Sequence, residues 1–121
     1  MISPDDIRAA YARVAPHIRR MPILDLAAGA FGLPHPLQLK FEFMQHAGSF
    51  KPRGAFNNLL SQEVPAAGVA AASGGNHGIA VAHAARALGH AARIFVPEIS
   101  DRKSTRLNSS HITPSRMPSS A

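Results

Sequence analysis

Between residues 69 and 96 the chain alternates in a way that few folds accommodate. Val69 to Ala72 is a short apolar run, Ser73 to Gly78 a glycine-rich turn, Ile79 to Leu88 an alanine-rich helical stretch, and Ala92 to Val96 a second apolar run. Two runs of strand length on either side of one helix-length segment define a βαβ unit, with a right-handed crossover between parallel strands as the expectation. Gly89 fits the position just past the helix, where a left-handed backbone is needed. Apolar residues surround most of this helix, so it is expected to be covered on several sides, with His83, Arg86 and His90 along its open edge. The fold class that follows is α/β.

Upstream, Leu37, Leu39, Phe41 and Phe43 alternate with Gln38, Lys40 and Glu42, the period of a half-buried strand. It runs through residues 44–48 into Gly48-Ser49-Phe50-Lys51-Pro52-Arg53-Gly54-Ala55, a strand-to-helix turn with a lysine at its centre. Pro52 biases Lys51 toward an extended backbone and opens the next helix in its first turn, where a missing N–H costs nothing. Ala55, Phe56, Leu59 and Leu60 form that helix's apolar face, and Gly54 with Ala55 would allow close packing under the turn. An amine held at the floor of a cleft can be freed to attack a carbonyl. On these residues alone, a solvated surface charge is the simpler reading of Lys51.

The N-terminal segment is a packing helix. Ser3 caps it, Pro4 takes its first position, Asp5 and Asp6 suit its dipole, and Ile7, Ala10, Tyr11 and Val14 share one face that ends before Pro16. Residues 19–23 read as an extended connector with Arg19 and Arg20 solvated, and Leu24 to Phe31 as a short helix stopped by Gly32.

Composition removes several function classes. The chain has no cysteine, so disulfide frameworks and thiolate metal sites are excluded and a reducing cytoplasm is the default. No apolar run approaches the roughly 20 residues of a membrane span, and a soluble protein is expected. Among the seven histidines, His77 and His83 fall on different helix faces with no carboxylate at ligand spacing, so no metal site is expected. The net charge of +6 would raise nucleic-acid binding, but half of that excess lies beyond residue 100. Residues 101–121 are rich in serine, arginine and proline and show no helical or strand period. This tail resembles translated adapter or vector sequence, is expected to be disordered and non-native, and is left out of the fold expectation.

Two motifs in order, Gly48 to Ala55 and Ser73-Gly74-Gly75-Asn76-His77-Gly78, resemble the fold-type II pyridoxal-phosphate enzymes, specifically the threonine/serine dehydratase and serine racemase branch. Lys40 and Glu42 match that family's Lys-x-Glu. Met21 stands where the family has threonine, and Ala47 where threonine or serine is frequent. The resemblance covers about residue 15 to Ser100. It implies a tryptophan synthase beta-like fold, an open parallel sheet with flanking helices, truncated here. Residues 1–64 would be the first part of the large cofactor domain and residues 65–100 part of the small one.

The resemblance also implies chemistry. Lys51 would carry pyridoxal 5'-phosphate as a Schiff base and, once freed, remove the substrate α-proton. Phe50 would pack against the cofactor, and Asn76 would hydrogen-bond its ring oxygen. Ser73, Gly75, Asn76 and His77 would take the substrate carboxylate, as a helix N-terminus in a glycine turn offers donors to an anion. By itself this turn is also compatible with a generic phosphate loop, and it lacks the full dinucleotide spacing. At Gly74 the racemases have a serine that works on the opposite face of the substrate, so α,β-elimination of L-threonine or L-serine to a 2-oxo acid and ammonia is preferred to racemisation. A homo-oligomeric whole enzyme without nucleic-acid or membrane partners is expected. The family's phosphate loop lies well beyond residue 100, so this length alone is not expected to be active. The competing reading is a non-catalytic remnant, or a basic segment that binds anionic surfaces through its tail.

Overall fold

The structure, a computed structural model of the 121-residue chain, describes residues 1–97 and the backbone of strand residues 115–116. Helix α1 (Pro4–Val14) starts as its sequence dictates. The Ser3 hydroxyl accepts from the Asp6 N–H at 3.2 Å, and the Asp6 carboxylate accepts from the Ser3 N–H at 2.8 Å, a reciprocal capping box. These bonds hold the Asp6 carboxyl below its usual range, its backbone bond to Ser3 contributing most. Pro16 lies in the 3-10 turn that follows, Ala15–His17.

Strands β1 (Ile23–Leu26) and β2 (Leu37–Lys40) pair antiparallel, Ile23 opposite Lys40 and Leu26 opposite Leu37. The expectation of a helix over Leu24–Phe31 is thus corrected. Gly29 at φ 95° and Phe31 at φ 53° are left-handed positions that end any right-handed run, and the start of the segment finds β2 as a partner instead. The alternating strand stops at Lys40; Glu42–Met44 and His46–Gly48 form two 3-10 turns. The connector before β1 is also more engaged than expected. Met21 is buried; Arg19 and Arg20 are exposed as expected, and the Arg19 guanidinium also donates to the Met44 carbonyl at 3.0 Å.

Helix α2 (Lys51–Leu60) begins at the lysine itself. The extended backbone expected ahead of Pro52 is therefore not adopted; a proline in the first helical turn removes only an N–H that would have had no partner there. Strand β3 (Val69–Ala72), helix α3 (Asn76–Ala87) and strand β4 (Ala92–Val96) make the βαβ unit, with Val69 opposite Ala92 and Ala72 opposite Phe95 in parallel register. Helix α3 starts three residues earlier than its apolar pattern, because Asn76, His77 and Gly78 are already helical. It ends in a Schellman motif: His90 N–H donates to the Ala85 carbonyl at 2.8 Å, Gly89 N–H donates to the Arg86 carbonyl at 3.2 Å, and Gly89 has φ 78°. Strand β5 (Ser115–Arg116) pairs parallel with Phe95 and Val96. The rest of the region expected to be a structureless tail lies outside the described residues.

The core forms where α2 meets α3. Phe56, 1% exposed, and Leu59 from α2 press on Ala80, Ala84 and Ala85 of α3, and Val14 of α1 closes one side. Small side chains on α3 let the two helices approach closely, so Phe56 fills the space between them. The Arg13 guanidinium donates to the Asn57 side chain and ties α1 to α2. Below α3, Ile94 of β4 is buried against Gly78. His83 does not lie on an open edge: its ring meets Phe56 edge-on at 5.8 Å and stacks on His46 at 4.9 Å.

Candidate active site

The lysine turn is fastened from three directions. Gln45 is 2% exposed; its side-chain oxygen accepts from the Arg19 and His46 N–H groups at 3.0 Å each, and its amide donates to the Arg19 carbonyl at 2.9 Å. The buried Ser49 hydroxyl accepts from the Lys51 N–H at 3.4 Å. Arg53 donates to both oxygens of Glu42, from Nε at 2.9 and 3.0 Å and from Nη2 at 2.7 Å. Lys40 Nζ lies 3.5 Å from the same carboxylate. The Arg53 hydrogen bonds hold the Glu42 carboxyl below its usual range against the opposing effect of its burial. The Lys-x-Glu pattern is thereby accounted for: Glu42 anchors the first turn of α2 to the end of β2. Sequence reasoning does not single out Gln45, Ser49 and Arg53 as residues that support the site; the polar Gln45 immediately before a turn is the available signal.

A cleft of about 740 Å3 opens beside this turn. Lys51, Phe50, Arg53 and Gly54 line one side, and Val69, Ala71, His77 and Val81 line the other. Lys51 is half-buried, and its Nζ sits 4.9 Å from the centre of the Phe50 ring. Phe50 itself is 57% exposed, so the ring is open to a planar partner and is not a core phenylalanine. Among the described residues no carboxylate pairs with Lys51. Gly54 lines the cleft and is exposed, and among the described residues a Cβ there would meet no atom within 4 Å, so it does not, as expected, allow tight packing beneath the turn.

Of the six residues expected at the site, the cleft brings together Phe50, Lys51 and His77. Ser73, Gly75 and Asn76 are not among its lining residues. The Ser73 hydroxyl accepts from the Gly75 N–H at 3.3 Å, Gly75 caps α3 and Asn76 is exposed in its first turn. The N–H groups of Asn76, His77 and Gly78 have no acceptor within a helix that begins at Asn76. The Lys51 amine and His77, in the first turn of α3, border one opening. This is a donor set suited to an anionic ligand carrying an aldehyde. Among the described residues no group of three or more metal-ligating side chains is placed to hold an ion, and no helix is long and apolar enough to cross a membrane.

The chain belongs to the pyridoxal-phosphate dependent enzyme family, which it matches over residues 14–111. The match runs past Ser100, where the resemblance is expected to end. Among curated relatives, the catabolic L-threonine dehydratase TdcB of Staphylococcus aureus (strain N315) is 43% identical over 101 residues, covering 81% of this chain and 29% of the relative. Serine racemase of Oryza sativa subsp. indica is 40% identical over 93 residues, covering 75% and 27%. Among solved structures, maize serine racemase superposes with a TM-score of 0.76 at 36% identity, over 95% of this chain and 37% of that one. A threonine deaminase from T.th. gives 0.74 at 36% identity, over 93% and 37%. The chain thus spans less than a third of the length of these curated relatives, and it matches the threonine/serine dehydratase and serine racemase branch of the family.

Proposed function

We propose that Lys51 is the covalent attachment point of pyridoxal 5'-phosphate, and that the whole protein of which this sequence forms part converts L-threonine or L-serine to a 2-oxo acid and ammonia. The observation that carries this reading is the Lys51 amine, without a carboxylate partner among the described residues, in a cleft shared with the first turn of α3. The residues fit the group: a primary amine for its aldehyde, the open Phe50 ring for its plane, and a cleft that Gly54 leaves unfilled. When bound, the cofactor supplies an electron sink for the bond broken at the substrate α-carbon.

The chain's own residues do the rest. Lys51 Nζ, once freed, takes the proton from the α-carbon, a general-base step at the amine that lines the cleft. Asn76, exposed in the first turn of α3, would hold the cofactor's ring oxygen. The donors at the start of α3, with Ser73, Gly75 and His77, orient the substrate carboxylate. Leu59, Val69, Ala71 and Val81 give the cleft an apolar wall. Gly74 offers no hydroxyl to return a proton from the opposite face, which favours elimination over racemisation. Dehydratase and racemase relatives both stand near this chain, and Gly74 is the residue that separates the two readings.

The test is borohydride reduction of the chain in the presence of pyridoxal phosphate, followed by peptide mapping. Label confined to Lys51 is the expected result. Label scattered over Lys40, Lys51 and Lys103 overturns a formed site and favours a non-catalytic segment.

A further inference from the structure

Four rings from four parts of the chain meet in series beside the core, two contacts stacked and one edge-on. His17, from the turn after α1, stacks on Phe56 of α2 at 5.1 Å and 18°. Phe56 meets His83 of α3 edge-on at 5.8 Å and 90°. His83 stacks on His46, in the turn that precedes the lysine, at 4.9 Å and 23°. The series joins the elements that carry the candidate site, since α2 begins with Lys51 and α3 with Asn76. We propose that the His46–His83 stack is a pH-operated latch, closed when both imidazoles are neutral and opened by mild acidification, which frees the lysine turn from α3.

The physical case rests on the surroundings of the pair. Two neutral imidazoles at this separation gain dispersion and ring stacking. Two imidazolium ions there repel, and among the described residues no anion acts on either ring to offset the charge. The charges acting on the pair are all positive: Arg19 from the connector before β1 acts on both rings, Arg86 from α3 itself acts on His83, and each histidine would act on the other. From α2 the neighbour is the uncharged Phe56, behind which lies His17. Among the described residues, β3 and β4 contribute no charge acting on either ring. Burial first, and these cations second, hold both imidazoles below the ordinary histidine value. One wall of the cleft comes from α2 and another from α3 and β3, so release of the latch alters the cleft that contains Lys51. The latch follows from the fold and stands whether or not the proposed elimination is correct.

The experiment follows ring resonances and amide hydrogen exchange of the 121-residue chain from about pH 7.5 to about pH 5.5, the span in which histidine changes charge. After division by the intrinsic exchange rate, the opening of residues 46–51 and of α3 is expected to rise about tenfold per pH unit for each proton taken up, while the β3–β4 amides hold. His83→Phe and His46→Phe keep a ring in the stack without its proton and should flatten the profile. A flat profile in the unaltered chain, or an unchanged profile in His83→Phe, overturns the latch. Should a Phe variant fail to fold, the unaltered chain decides. Two rings that displace each other's titration support the latch, and two that titrate independently at the ordinary histidine value overturn it.

Discussion

The Arg53 guanidinium holds both oxygens of the Glu42 carboxylate, and through that grip the first turn of α2 is fixed to the end of β2. Both side chains are mostly buried, 24% and 19% exposed, so solvent screens the pair only in part. Glu42→Gln keeps the shape and removes the charge. The expected loss at neutral pH is on the order of 1–3 kcal/mol, the range for hydrogen bonds to charged groups. The carboxyl is held below its ordinary value in the folded state, so its contribution is full above the unfolded value and is lost as pH falls through the folded one. Urea denaturation at several pH values should therefore show the parent chain losing stability below about pH 4.5. The Gln variant should lose less over the same range.

Gln45 is a second anchor, and its removal should cost more than its surface position in the sequence suggests. Its side chain serves the Arg19 N–H, the Arg19 carbonyl and the His46 N–H. Gln45→Leu fills similar space but leaves those three backbone groups without their partner. The expected destabilisation is about 1–3 kcal/mol, read as a lower denaturation midpoint at unchanged slope. Local exchange should rise first at residues 19 and 46.

Phe56 is the residue on which the helical core depends. Phe56→Ala is expected to cost about 3–5 kcal/mol, the range for deleting a buried aromatic side chain. The same change unstacks His17 and His83, so both rings should shift in the NMR spectrum together with the loss of stability.

Much of this architecture is legible in the sequence because its signals are local. Ser3-Pro4-Asp5-Asp6 states its own cap, and the βαβ unit is a matter of run length and glycine placement. The features that could not be read depend on partners distant in sequence. Nothing within Ile23–Leu26 says that Leu37–Lys40 will pair with it, so an apolar stretch with alanines reads as a helix. His83 reads as an open-edge residue because His46 lies 37 positions away and only the packed turn brings the rings together. Gly54 shows the same limit at the site. A glycine in a helix close to a lysine suggests close packing, yet among the described residues an added Cβ would meet no atom within 4 Å.

That contrast between glycines gives the sharpest stability test. At Gly78 a Cβ would lie 2.8 Å from Ile94 Cγ2 and 2.9 Å from the Ser73 carbonyl oxygen, and the latter is backbone that cannot swing aside. Gly78→Ala must push α3 off β4, at an expected cost of about 1–3 kcal/mol for overpacking. At Gly54 a Cβ meets nothing, and the position is inside a helix, where alanine is favoured over glycine by about 1 kcal/mol. Gly54→Ala should therefore raise the thermal midpoint while placing a methyl group in the cleft beside Lys51. The two variants are expected to move stability in opposite directions in one thermal melt series. Reductive labelling of Lys51 by pyridoxal phosphate should fall in Gly54→Ala despite its firmer fold. A Gly54→Ala chain that melts higher and labels as well as the parent would show that the open space at residue 54 is not used by the ligand.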